Sequence, residues 1–330
     1  MGGKHLRLQD SRAVQHAAAP AAVSSCTKTP LRCKPLRSSH ADTRIRSLEA
    51  DSGMSFWSDR NLLEAGGNAG ELLSKIARIT TWSTECEFLW RGNRDEAWPL
   101  HSGLFDRLRI HSGHPPTEGE LRTVETDLLR RAERSGYGGA RGTPDLQRLA
   151  ILQHHGTATR FLDVTPDPMV ALWFACDDTG PTVARGILFA IEVSGAEHLD
   201  WTDERPIDKV VDSLKKNQLA VYTPAPTDAR IQVQRGVFVF GKTPDDKSMR
   251  EATSVPIQLR GWTAEKRKAV FGKRSRGRPP VPSILALRVP QDTKHRLLTI
   301  LERSYGYTAE TIFPDIDGFS AANGRTSRFR

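Results

Sequence analysis

Along the chain, short apolar runs alternate with amphipathic stretches, and the period of each run predicts its element. Leu72, Leu73, Ile76 and Ile79 recur at helical spacing, so a helix is expected over 70–80. Residues 85–90 (ECEFLW) read as a strand that ends at Arg91 and Gly92. Helices are expected over 118–134 and 145–154, the second with Leu146, Leu149, Ala150 and Gln153 on one face. Residues 157–164 read as a short strand. There Thr165 is placed as a helix N-cap, Pro166 as the first helical residue and Asp167 in the first turn. Met169, Leu172, Trp173 and Cys176 then follow at the spacing of a buried helix face.

Further on, residues 186–193 (GILFAIEV) predict a central strand, and 206–216 an exposed helix with a basic end. Residues 231–240 (IQVQRGVFVF) alternate and read as a strand with a bulge or turn at Arg235 and Gly236. A last strand is expected over 283–289 and a helix over 294–303, followed by the turn-rich FPDIDGF. The run SGYGGARGTP has no strand before it and no GK[ST], which excludes a P-loop and predicts a mobile loop. Strands and helices that alternate without a regular βαβ repeat give an α+β class, with one mixed domain over 55–322.

Charge changes the picture at the two ends and in one internal segment. The chain of 330 residues carries a net charge of +9, with 38% hydrophobic residues. Residues 1–50 hold nine Lys or Arg against three acids and no aromatic residue, so residues 1–54 read as a disordered basic arm. An Arg- and Ser-rich start also leaves a transit peptide open. Residues 323–330 read as a basic tail. Residues 266–278 (KRKAVFGKRSRGR) are basic without one acid, which fits either a solvated loop or an electrostatic footprint for nucleic acid. Cys26, Cys33, Cys86 and Cys176 form no CxxC pair, as expected of a reduced, cytoplasmic protein. No apolar run approaches about 18 residues, so no membrane helix is expected.

The densest chemistry lies in residues 153–178, QHHGTATRFLDVTPDPMVALWFACDD. A strand carrying Arg160 and Asp163 would feed directly into a helix whose free N–H groups suit an anion. Adjacent His154 and His155 point about 100° apart on a helix, and neither HExxH nor HxH is present, so no metal site is expected. The absence of GxSxG excludes a nucleophile elbow. His154, His155 and Asp163 leave open an acid–base pair in a metal-independent nuclease or hydrolase. A pyrophosphate and a flat ring would find donors and a wall in Arg91, Arg160, Trp90 and the helix after Thr165. Displacement at a ribose anomeric carbon needs positioning and charge stabilisation rather than an activated nucleophile.

The segments FLWRG, LQHHGTATRFLDVTPDPMVALWFA, QRGVFVF and TIFPDIDGFSA, in that order, resemble the FRG domain family, with Ala158 where Pro is usual, Phe161 for Leu and Val164 for Trp. That layout is in turn similar to ADP-ribosyltransferases. The similarity implies a central, largely antiparallel sheet flanked by helices, and NAD as a substrate. It implies an ADP-ribosyl transfer or NAD cleavage in a toxin or phage-defence setting, with a nucleic acid or protein acceptor. Arg91 would match the NAD-gripping Arg; Arg91, Gln153, His155, Thr157, Thr159 and Arg160 would bind the dinucleotide. Gln232 or Gln234 would stand where those enzymes carry a catalytic Glu. Gln is no base, so Arg91, Asp163 and Gln234 are the catalytic candidates, with Asp163 as the acid. A nucleotide- or nucleic-acid-binding module without catalysis is the other reading.

Overall fold

Asn68 begins the ordered helical framework: its side chain accepts from Glu71 N and caps α1 (Ala69–Thr80). The computed structural model describes residue 57 and residues 62–64, 67–177, 184–226, 228–257 and 283–322. The two terminal segments and the basic 266–278 segment therefore lie outside the described residues. A short strand β1 (Leu62–Glu64) precedes α1, and β2 (Phe88–Asn93) follows it. Then come α2 (Gly103–Ser112), α3 (Glu118–Arg134), α4 (Asp145–His154), β3 (Leu162–Val164) and α5 (Pro168–Cys176). The rest is β4 (Gly186–Glu192), β5 (Glu197–Asp200), α6 (Ile207–Ser213), β6 (Leu219–Thr223), α7 (Ala229–Gln234), β7 (Val237–Gly241) and α8 (Lys247–Arg250). After the segment 258–282 come β8 (Ile284–Val289), α9 (Lys294–Tyr305), α10 (Ala309–Ile312) and α11 (Ile316–Ala322).

Among the described residues the strands form two four-stranded sheets, β1-β8-β4-β2 and β3-β7-β6-β5, rather than the one central sheet expected. Both are mostly antiparallel; only β1–β8 and β5–β6 run parallel. The reason is visible in β4, where Ile187, Phe189 and Ile191 point one way and Leu188 and Ala190 the other. A strand apolar on both faces must be covered twice. One face packs on α1, α5 and α9 through Leu72, Ile76, Leu172 and Leu297. The other meets the second sheet through Leu162, Val164, Val221 and Val239. The far side of that second sheet holds Phe161, Tyr222, Phe238 and Phe240 against Leu149 of α4 and Val210 of α6. The order of layers is helix, sheet, sheet, helix, a mixed α+β fold. Among the described residues no helix is long and apolar enough to cross a membrane.

Helices α1, α3, α4 and α9 and strands β4 and β8 follow the sequence pattern closely, and four local expectations change. Strand β2 runs through Arg91 and Gly92 instead of ending there. The helix cap moves from Thr165 to Asp167, with Pro168 at the first position. Thr165 is drawn into the ladder instead, exchanging backbone bonds with Trp90 at 2.7 and 2.9 Å. Residues 231–240 are helix, then turn, then strand: Asp228 caps α7, Arg235 turns left-handed at φ 48°, and β7 starts at Val237. The glycine-rich run is pinned, since Arg148 Nη1 and Nη2 donate to Tyr137 O and Ala140 O at 2.9 and 3.1 Å. The turn-rich FPDIDGF overlaps the start of α11.

Candidate functional site

Gly92 explains the aromatic–Arg–Gly element. A Cβ there would lie 1.8 Å from Ala171 O and 2.6 Å from Ala175 N, so α5 rests directly on the β2 backbone. Gly186 makes the same allowance on β4, where a Cβ would fall 2.1 Å from Ala175 O. With Phe88, Trp90 and Gly92 turned to α5, Leu89 and Arg91 share the opposite face, toward the second sheet. Arg91 thus emerges at the end of the inter-sheet layer. Trp90 is 2% exposed in the core, so it forms no aromatic wall for a ligand.

Arg91 meets Asp163 on β3. Its Nη1 donates to Asp163 O at 2.8 Å and lies 3.8 Å from Asp163 Oδ2. The first contact is a hydrogen bond; the second is an ion pair without one. Arg91 Nε is buried and has no hydrogen-bond partner, while the side chain as a whole keeps a quarter of its surface. Burial lowers the Arg91 pKa from its ordinary value, and the nearby charges of Asp163 and Asp106 oppose that.

Asp163 faces away from the core because its strand neighbours Leu162 and Val164 face in. Two-thirds of its side chain is exposed, yet it is held. Gln153, at the end of α4, donates from Nε2 to Asp163 Oδ1 at 2.7 Å. The Thr159 hydroxyl donates to Gln153 Oε1 and accepts from Phe161 N at 3.1 Å. A hydroxyl donor on Oε1 leaves the amide nitrogen as the end presented to Asp163. These local bonds, with Gly156 left-handed at φ 82°, also explain why residues 157–161 are not strand.

Arg160 corrects the expectation most clearly. It is 2% exposed, with Nε donating to both Glu125 oxygens at 2.8 Å and Nη2 2.7 Å from Oε2. Its Nη1 lies 3.3 Å from Glu118 Oε1. Burial works against its charge, but Glu125 and Glu118 outweigh that and hold its pKa above the ordinary guanidinium range. With all three nitrogens paired to carboxylates on a buried side chain, Arg160 is not placed to meet a pyrophosphate. Glu118 also pairs with Arg122 and accepts from Thr243 N, so the cluster ties α3 to the segments on either side.

The other candidates scatter. Gln234 lies at the end of α7, not on a strand, and its Nε2 donates to Ile312 O at 2.9 Å. That removes it from the position of a catalytic Glu and makes it a tie to α10. Gln232 bonds Pro226 O. His155 caps α4, exposed and edge-on to His154, whose Nε2 is 3.3 Å from Asp228 Oδ2. Thr157 is half-buried after the turn, its N–H closing on Leu152 O. The first N–H groups of α5 are not open to an anion, since Asp167 Oδ1 accepts from Met169 N and Val170 N. So Arg91, Asp163, Gln153 and Thr159 are brought together, and Arg160 and Gln234 are not.

Sequence reasoning missed His101 and Asp106 on the same side. His101 is buried, with Nδ1 2.8 Å from Asp106 Oδ1 and Nε2 2.9 Å from Arg250 O. Asp106 sits in the first turn of α2, and that turn is fastened to the site by Leu104 N donating to Thr159 O at 2.9 Å. The available signal was the HSGLFD stretch, whose Ser102 begins α2. Tyr307 was missed too: its hydroxyl donates to Asp167 Oδ2 at 2.8 Å.

No curated protein and no solved structure matches the chain. The FRG domain family model matches residues 86–182, which include Arg91, Asp106, Gln153, Thr159 and Asp163. Over that segment the chain is similar to the FRG domain family.

Proposed function

We propose that the Arg91–Asp163 edge is a nucleotide site that cleaves NAD and passes the ADP-ribosyl group to an acceptor. The observation that carries this is an exposed Asp163 carboxylate held by Gln153, with an incompletely paired Arg91 beside it. Arg91 would meet the pyrophosphate through its open nitrogens. The free lone pairs of Asp163 would accept from the ribose 2′-hydroxyl and stabilise the oxocarbenium-like state at the neighbouring carbon. Gln153 and Thr159 hold that carboxylate in one orientation, which is the preorganisation such stabilisation needs. Asp163 thus takes the part that the similarity gave to Gln234. A protein or nucleic acid is the acceptor we propose, and a toxin or defence role goes with the family resemblance.

Incubation with NAD labelled in the adenylate half tests this reading, with RNA, DNA and protein supplied in separate reactions. Nicotinamide release by the wild type, lost in Arg91→Ala and in Asp163→Ala, is the expected result. Binding of NAD by calorimetry without any release would instead make the domain a nucleotide-binding module. Neither binding nor release would end the proposal.

A further inference from the structure

We infer that Asp106 is a second carboxylate of this site and takes the proton from the acceptor that attacks the ribose. This deepens the transfer proposal and rests on it. Three features of the structure support the assignment. The first turn of α2 is bonded to Thr159 O, the backbone of the same residue whose hydroxyl starts the relay to Asp163. Every side-chain hydrogen bond of Asp106 falls on Oδ1, from His101 Nδ1 at 2.8 Å and Arg109 Nε at 3.4 Å. Oδ2 is left open on a side chain that keeps a third of its surface. His101, itself without exposed surface, is fixed at its other nitrogen to Arg250 O. A buried histidine ring in contact with backbone at one nitrogen therefore holds one partly exposed carboxylate at the other.

Burial lowers the Arg91 pKa, and the charges of Asp163 and Asp106 both oppose that. Two carboxylates held by different elements suit two separate tasks: one at the ribose, one at the incoming nucleophile. With NAD alone the nucleophile is water. Its oxygen bonds to the anomeric carbon, and the carbon–nitrogen bond breaks with its electron pair on nicotinamide, which leaves neutral. The water proton passes to Asp106 Oδ2. His101 touches none of the reacting atoms and is a positioning residue.

The test is steady-state NAD hydrolysis by the full chain, with NAD affinity measured separately by calorimetry. Asp106→Asn keeps the acceptor for His101 and removes the basic oxygen, so kcat should fall by about 10²–10⁴-fold. Affinity for NAD should stay within about threefold, since removing a proton acceptor used only in the transition state spares ground-state binding. Asp106→Ala should regain rate with added formate, which a structural role would not allow. Asp106→Glu provides the folded control, with an intermediate rate. A kcat of Asp106→Asn within threefold of the wild type overturns this role and leaves the transfer proposal standing. A wild type that releases no nicotinamide overturns both. Should Asp106→Asn melt early, an Asp106→Glu rate equal to the wild type, without formate rescue of Asp106→Ala, likewise overturns it.

Discussion

Arg91 and Arg160 carry the same group, and their surroundings differ. Arg160 is enclosed by Glu125 and Glu118, with each nitrogen matched to a carboxylate. Arg91 reaches one carbonyl, stands 3.8 Å from one carboxylate oxygen, and leaves Nε without a partner. A saturated, buried guanidinium fixes structure. An unsaturated one at an edge, beside an exposed carboxylate, is arranged for something outside the protein. Residue type gives neither answer; how many guanidinium nitrogens tertiary structure pairs does.

The sharpest way to break the comparison is at Arg160. Replacing it with Ala leaves Glu125 buried and unpaired, which should cost about 3–5 kcal/mol of stability in urea unfolding. A loss below 1 kcal/mol would deny the structural role. Asp163→Asn is the opposite case. NAD turnover should fall by about 10²–10³-fold, as for loss of a preorganised stabilising group, while stability stays within about 1 kcal/mol because the Asp163 side chain is two-thirds exposed and the Arg91 hydrogen bond goes to the Asp163 backbone. Comparable damage to stability at both sites would erase the distinction.

Gly92→Ala tests what places Arg91 at the edge. Its Cβ would overlap the α5 backbone, and relief by shifting the helix should cost about 1–3 kcal/mol, the usual penalty of overpacking. Turnover should drop with it, since Arg91 moves with the strand. Tyr307→Phe is the smallest effect, about 1 kcal/mol for one hydrogen bond to Asp167. Burial and that bond push the Tyr307 hydroxyl up to about 12. A phenol raised in the folded state stabilises the fold fully below the ordinary value near 10, and this is lost as pH climbs to about 12. Urea midpoints of wild type and Tyr307→Phe should therefore converge between pH 10 and 12.

The site was partly legible. Arg91 stood out as a strand end although β2 runs on to Asn93, Asp163 because a strand-to-helix junction is readable from local pattern, and Gln153 because it closes the preceding helix. Gln234 was misplaced because IQVQRGVFVF alternates like a strand, yet Asp228 caps a helix ahead of it and Arg235 ends that helix left-handed. Thr165 was placed at the cap and Asp167 in the first turn, whereas Asp167 is the cap. Pairing with Trp90 keeps Thr165 extended, and the helix starts two residues later. His101 and Asp106 showed no chemistry in sequence, because their meaning depends on Arg250 and Thr159 arriving from elsewhere.

By itself the sequence determined the elements whose signals are local: the limits of α3 and α4 and the central, apolar β4. Hydrophobic period, caps and glycine act over a few residues, so a few residues suffice to read them. Tertiary structure alone decided that there are two sheets, that Arg160 is saturated, and that Arg91 is not. Those outcomes turn on groups 35 to 72 positions apart, and which distant carboxylate reaches which guanidinium is fixed only when the layers pack.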